Sequence, residues 1–291
     1  MARIGAIFTP SSPPEALRDA AQAADEAGVP ELWLWEDCFR ESAFAAASAV
    51  LAWTRHLRVG IGVAPIPLRN VALTAMEIAT IEGMFPGRLI PGVGHGVQSW
   101  MAQVGARAAS PLTLMREYVP ALRSLLAGAE TSTQGRYVTL DRVRLDWPPA
   151  HSPAILAAGE GPKTVRLTGE VADGTILPAG SNPERVARTL ATALEGRTAA
   201  GRDGSHQLVV FLSASFLDAD GALPPLDPSG LGADADPTAR VDGTPEDVAA
   251  AVQPYFAAGA TSVILQPAAS GVDLTAFMAG AGAVAHLLGL D

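Results

Sequence analysis

The sequence predicts an α/β fold of the TIM (β/α)8 barrel type, and three observations lead there. Short, almost wholly apolar runs recur from the first residues to the last. Each is followed by a segment with apolar residues at helical spacing, and no dinucleotide fingerprint opens the series. Apolar runs of this kind suit strands covered on both faces, as crossover helices require of a parallel sheet. A doubly wound open sheet is the alternative, but it would carry G-x-G-x-x-G after strand one, where Ile7-Phe8-Thr9-Pro10 stands. A length of 291 residues suits one barrel domain spanning 1–291, since such barrels take roughly 250 residues.

Taken in order, Arg3–Phe8 reads as strand one. Ser12-Pro13-Pro14-Glu15 has the form of a capping box with Pro at the first helical position, opening a helix that Gly28 stops. Strand two is expected at 32–35, strand three at 57–63 and strand four at 89–93, where Pro91 removes one ladder donor. Ser110-Pro111 opens a helix whose Leu114, Tyr118, Leu122 and Leu125 form one stripe. After this fourth helix, 130–149 reads as a hairpin insertion, with 137–140 and 143–145 alternating around Asp141-Arg142. Strands five and six follow at 154–157 and 174–177, a helix opens at Asn182-Pro183, and strand seven runs over 208–216. A second insertion, 218–242, is rich in Gly, Pro, Ala and Asp, lacks periodicity and follows strand seven. It reads as a lid or a disordered excursion on the catalytic face. Thr244-Pro245 then opens the helix that leads to strand eight at 261–266.

Charge and composition narrow the function. With 20 Lys plus Arg against 30 Asp plus Glu and a net charge of -10, most of the surface repels phosphate backbones, and no concentrated basic patch offsets it. No nucleic-acid partner is expected. The lone Cys38 cannot close an internal disulfide, no basic segment with an apolar core opens the chain, and every apolar run stops short of the roughly 20 residues of a membrane span. These features predict a cytoplasmic protein acting on a small molecule away from membranes, with room for a homodimer.

In a barrel the reacting groups come from the carboxyl ends of the strands. After strand two stand Trp35, Glu36, Asp37, Cys38 and Phe39; after strand four, Gly94-His95-Gly96 and then Trp100; after strand five, Gly159-Glu160-Gly161-Pro162-Lys163-Thr164. Of the five histidines only His95 falls on this face, so no metal site is expected, and no G-x-S-x-G nucleophile turn occurs. A face lined by glycines, aromatics and a few polar groups suits a large planar cofactor that brings its own chemistry. In the turn 159–164, small residues ahead of a Pro at the first helical position offer free amides and a positive dipole end to an anion. Lys163, the only lysine of the chain, either adds charge there or is a solvated lysine at a helix start.

The segments 57–63, Pro67-Leu68-Arg69-Asn70, 77–82, Gly87-Arg88-Leu89, Gly92-Val93-Gly94, 161–167, Ala172-Asp173-Gly174, Gly243-Thr244-Pro245-Glu246 and Ala258-Gly259-Ala260 resemble, in order, the core of the bacterial luciferase-like monooxygenase superfamily. The Gly-Pro-Lys segment and the Gly-Val end of strand three are most similar to the branch that uses the deazaflavin coenzyme F420. The resemblance implies an F420-dependent oxidoreductase passing a hydride between the coenzyme and a small organic substrate. The alternatives are an FMN-dependent monooxygenase using reduced flavin and oxygen, and a non-catalytic flavin- or deazaflavin-binding barrel. It implies a non-proline cis peptide at Gly62-Val63 behind the ring, Gly94 and Gly96 along the cofactor, and a phosphate turn of Gly159, Glu160, Gly161, Lys163 and Thr164. Asp37 and His95 are then the candidate catalytic groups, Cys38 a small residue beside the cofactor, and Trp35, Phe39 and Trp100 the substrate pocket. Two departures stand out: Cys38 where Asp-His often ends strand two, and Val97 where the sugar-phosphate dehydrogenase branch has a Glu. Both argue against alcohol oxidation of the sugar-phosphate kind.

Overall fold

The computed structural model describes residues 2–217, 220–223, 239–268 and 271–291. Parallel strands alternate with helices throughout: β1 (Arg3–Phe8), α1 (Leu17–Glu26), β2 (Glu31–Leu34), α2 (Ala43–Trp53), β3 (Arg58–Ile61), β4 (Ala64–Pro65), α3 (Val71–Met84), β5 (Leu89–Ile90) and β6 (Gly92–Gly94). Two helices, α4 (Gln98–Gln103) and α5 (Pro111–Leu126), precede an antiparallel pair, β7 (Thr131–Gln134) with β8 (Thr139–Val143). The alternation resumes with β9 (Leu156–Ala158), α6 (Pro162–Val171), β10 (Gly174–Leu177), α7 (Pro183–Ala199), β11 (Gln207–Phe216), β12 (Arg240–Gly243), α8 (Pro245–Ala257), β13 (Ser262–Pro267) and α9 (Leu274–Leu287).

Pairing follows chain order. β1 lies between β13 and β2, β2 pairs with β3, and β3 with β5. Pro91 alone separates β5 from β6, which pairs with β9, and the ladder continues through β10 and β11 to β13. The result is an α/β fold on a curled parallel sheet. Its inner face packs Ile7, Trp33, Ile90, Leu156, Ile176, Val209, Phe211 and Ile264 together. On β3 the inner position opposite Trp33 is Gly60, and a Cβ there would lie 2.2 Å from Trp33 Cδ2, so the indole takes the space a side chain would fill.

Several expectations need correction. Ser12 does not cap: the chain enters α1 through a 3-10 turn, Pro14–Ala16, with Pro13 at the N-cap and no side-chain cap bond. Two consecutive prolines fix the backbone before the Ser12 hydroxyl can reach an amide. Strand three ends at Ile61, with Ala64–Pro65 as a separate piece, and strand four is cut in two at Pro91, whose nitrogen has no proton to donate. In the 130–149 insertion the paired strands are β7 and β8, and the chain turns over 135–138 instead of at Asp141-Arg142. Glu117 on α5 decides that position: its carboxylate accepts from the amides of Arg136, Tyr137 and Val138 at 2.9, 2.8 and 3.1 Å. In the 218–242 insertion, 240–242 belong to β12, which pairs in parallel with β11; 218–219 and 224–238 lie outside the described residues.

At the amino ends of the strands, carboxylates tie loops down. Asp25 accepts from the amides of Arg55, His56 and Leu57, each at 2.9 Å. Asp173 binds Arg123 and Arg202, each at 2.7 Å, and the Ile155 amide at 2.9 Å. Beside it His206 is buried, its Nε2 2.8 Å from Thr175 Oγ1. Burial, then the Arg197 and Arg202 cations, hold its pKa down at about 4. An unfolded histidine titrates near 6.5, so between about 6.5 and 4 the unfolded chain binds the extra proton. The contribution of His206 is therefore complete above about pH 6.5 and is lost as the pH falls toward 4. Urea unfolding at pH 6.5 and 4.5 should show the wild type losing about 2 kcal/mol more than His206→Gln over that interval. Parallel losses in the two proteins would refute it.

Candidate functional site

The site is built at the carboxyl ends of the strands. The loop after β2 is fixed from behind by an ion network: the guanidinium of Arg69 grips both carboxylate oxygens of Glu36, its Nε reaches Glu77 at 3.2 Å, and its face lies 5.1 Å from the Phe44 ring. Glu36 also accepts from the Ala43 amide at 3.0 Å, opening α2. Arg40 donates to the Pro10 carbonyl at 2.6 Å, tying the same loop to the end of β1. These anchors hold Trp35 and Asp37 toward the sheet interior. The Trp35 ring stacks on Phe211 at 6.2 Å, and Phe211 meets Trp33 edge-on at 5.6 Å.

Between these rings and the loops lies a cavity of about 440 Å³. Its wall includes the expected Trp35, Asp37, Gly62, Val63, His95, Gly96, Trp100, Gly159, Glu160, Gly161 and Thr164. The Gly62-Val63 peptide is cis, as is Cys38-Phe39, which the sequence reading did not anticipate. Gly62 is required by space: a Cβ would stand 2.6 Å from Phe211 Cζ. Four candidates lie outside the wall. Gly94 is buried behind Val63, Cys38 is half-buried, Phe39 points outward with 63% exposure, and Lys163 is exposed on the first turn of α6. Residues that the search of post-strand loops missed include Phe211 and Ile176, which lie within strands. The alternation of Val209, Phe211 and Ser213 on strand seven was the available signal.

Burial sets the electrostatics. It lowers the pKa of His95, leaving the imidazole neutral near pH 7, and raises that of Asp37 against the opposing pull of Arg40. His95 Nε2 and Trp35 Nε1 are both buried without a hydrogen-bond partner. Unsatisfied buried groups of this kind are uncommon and call for an external partner. At the far side of the cavity α6 starts at Gly161 with no side-chain cap, whereas α5, α7 and α8 are capped by Ser110, Asn182 and Thr244. Pro162 has no N–H and the Thr164 amide turns back to the Gly161 carbonyl at 3.0 Å, so in the first turn the Lys163 amide is left to an outside acceptor, where the helix dipole favours an anion. Two aromatic-facing polar atoms and an uncapped helix start fit a planar ring carrying an anionic group. Among the described residues no cluster of His, Cys, Asp and Glu could hold a metal ion.

A family model, Luciferase-like monooxygenase, matches residues 1–222. The chain belongs to the luciferase-like monooxygenase family. This member is 28% identical over 218 residues to 5,10-methylenetetrahydromethanopterin reductase of Methanolobus tindarius, covering 75% of this chain and 66% of the relative. The same reductase of Archaeoglobus fulgidus is 27% identical over 62% of this chain and 54% of its own length. The chain thus spans under two thirds of both reductases. It is also 29% identical to the F420-dependent glucose-6-phosphate dehydrogenase of Kineococcus radiotolerans, over 91% of this chain and 90% of that one. Among solved structures, an F420-dependent secondary alcohol dehydrogenase in complex with an F420-acetone adduct shares the fold with a TM-score of 0.82 at 21% identity, covering 98% of this chain and 99% of that one.

Cys38 follows Glu36 and Asp37 in the loop after β2. Its thiol pKa is pushed up, first by burial and then by the Glu36 and Asp37 carboxylates, so the thiolate is scarce at neutral pH. The iodoacetamide alkylation rate should rise with a midpoint above the ordinary thiol value of about 8.5, and Asp37→Asn should move that midpoint down. A midpoint at or below the ordinary value would contradict this environment.

Proposed function

We infer that this luciferase-like chain is an F420-dependent oxidoreductase that transfers a hydride between the deazaflavin ring and a small organic substrate, the whole chain acting as one domain. The observation that carries the reading is the match with an F420-dependent dehydrogenase over nine-tenths of both chains, in a protein whose cavity presents the two unpartnered atoms His95 Nε2 and Trp35 Nε1. The same reading takes the curled sheet as an eight-stranded barrel, with β3 and β4 as one strand and β5 and β6 as another.

When bound, F420 supplies a ring carbon that gives or takes the hydride. The protein's own groups position, exclude water and handle protons. Val63 and Gly62, with Phe211 packed against Gly62, would hold the ring. The amides of Glu160, Gly161 and Lys163 would take the phosphate at the start of α6, and exposed Lys163 would add charge from the rim. Neutral His95 offers Nε2 as a hydrogen-bond donor or acceptor to the ring or to the substrate oxygen. Asp37, its pKa raised by burial, is a carboxyl able to hold a proton at the end of strand two. Trp35 and Trp100 shape the substrate side. Cys38 replaces the histidine that the resemblance implies for F420 dehydrogenases and reductases, and Val97 the Glu of the sugar-phosphate branch, so the substrate belongs to a class other than sugar phosphates.

An FMN-dependent monooxygenase is the second reading, favoured by fold neighbours such as the FMN complex of the oxygenating constituent of 3,6-diketocamphane monooxygenase, at a TM-score of 0.75 and 17% identity. Equilibrium titrations followed by cofactor fluorescence separate the two. F420 should bind at least about tenfold more tightly than FMN, about 1.4 kcal/mol in free energy. Equal or reversed affinities would discard the F420 assignment and leave the fold intact.

A further inference from the structure

Beyond Phe211 the inner face of the sheet changes character. Side chains two residues apart on a strand share a face, and Val209 and Phe211 point inward, so Ser213 and Ser215 continue the inner face, roughly 7 and 13 Å further along. Ser213 pairs in register with Gln266 of β13 and Arg240 of β12, and Ser215 pairs with Asp242. A hydroxyl pair, a carboxamide, a guanidinium and a carboxylate thus replace the aliphatic and aromatic lining of the interior. Ser213, Ser215 and Gln266 are buried, with Ser215 only 3% exposed.

The charges in this patch cancel. Arg240 Nη2 lies 2.5 Å from Asp242 Oδ2, with side chains 28% and 16% exposed. Two oxygens are left over: Ser215 Oγ and Asp242 Oδ1 are buried and without a hydrogen-bond partner. They belong to residues directly opposite each other on neighbouring strands. A carboxylate oxygen only accepts, whereas a hydroxyl both donates and accepts. A group that satisfies both donates to Asp242 and accepts from Ser215, and since Arg240 already balances the Asp242 charge, a neutral group suffices. An alcohol does this with one atom, and a second carboxylate would be repelled.

We propose that Ser215 and Asp242 form a substrate subsite for a neutral hydroxyl group, carried some distance from the reacting carbon. The inference rests on the cavity beside Trp35 and Phe211 being the hydride-transfer site, and it adds the polar end of the substrate. The subsite recognises O–H and takes no part in the redox step. Its substrates are hydroxylated molecules long enough to reach from the ring region past Phe211.

The test is calorimetric titration of the F420-loaded protein, and of the cofactor-free protein, with two probes: a methyl ketone bearing a terminal hydroxyl on a six-carbon spacer, and the methyl ether of the same molecule. The ether keeps the acceptor and loses the donor. The hydroxy ketone should bind the wild type at least about fivefold more tightly than the ether. In Asp242→Asn and in Ser215→Ala that ratio should fall below about twofold, with the affinity for the ether retained. Equal affinities in the wild type, no measurable binding of the hydroxy ketone at millimolar concentration, or a preference unchanged in both variants would overturn the subsite. Failure of the F420 reading gives a different pattern: no deazaflavin binding, with the hydroxyl preference still present in the cofactor-free protein.

Discussion

The open end of the molecule depends on the indole of Trp33 lying across Gly60. A side chain at Gly60 would collide with that ring at 2.2 Å, so the inner core is closed by one large residue from β2 where its neighbour β3 contributes none. Phe211 stands edge-on to Trp33, Trp35 stacks on Phe211, and Gly62 accepts the Phe211 ring because it has no Cβ. This set makes the floor of the cavity. Aromatic pairs prefer edge-to-face and offset arrangements, which fix relative orientation as well as separation. Truncating a buried ring of this size typically costs about 3 to 5 kcal/mol, so the floor is also a large part of what holds the sheet's interior together. Stability and site geometry are here one packing problem.

Charge is kept out of the cavity or neutralised at its edge. Arg69 takes Glu36 and Glu77, Arg40 takes a carbonyl, and Arg240 takes Asp242. What faces the cavity is a neutral imidazole, an indole N–H, backbone amides, a carboxyl whose pKa is raised by burial, and the Glu36 and Glu160 carboxylates, paired with Arg69 and Arg185. Around the buried His95 and Asp37 side chains, hydrogen bonds and dipoles act more strongly than they would in solvent, and proton positions respond to small changes. A planar cofactor carrying its own redox chemistry needs such a setting more than it needs charged catalysts.

Much of this was legible in the sequence, for physical reasons that differ by element. The strands were visible because a sheet covered on both faces leaves its residues no polar side, and Ser110, Asn182 and Thr244 marked helix starts because each side chain does accept an amide of the first turn. Ser12 carried the same letters and failed, since Pro13 and Pro14 fix the path before a cap can form. The hairpin register was hidden because its turn is held by Glu117, an acceptor some twenty residues away that no local pattern contains. The site loops were readable from their position after strands, which brought Asp37, His95 and the 159–164 turn to one cavity. Phe211 was missed because it lies inside a strand, where an aromatic reads as core.

The strand that carries Phe211 also explains how the interior can be both a core and a site. Along β11 the inward positions run Gln207, Val209, Phe211, Ser213, Ser215, so an aliphatic and aromatic band lies between polar ends. The order follows from desolvation. Within the apolar band an unpaired hydroxyl would cost about 1 to 3 kcal/mol with nothing to repay it, so Val209 and Phe211 fill the space. At the open end a ligand or water can supply the partner, and a hydroxyl left unsatisfied there is tolerable. Phe211 stands at the boundary, with one edge on Trp33 and its face on Trp35. The change from apolar to hydroxyl side chains after Phe211 therefore marks where packing ends and recognition begins.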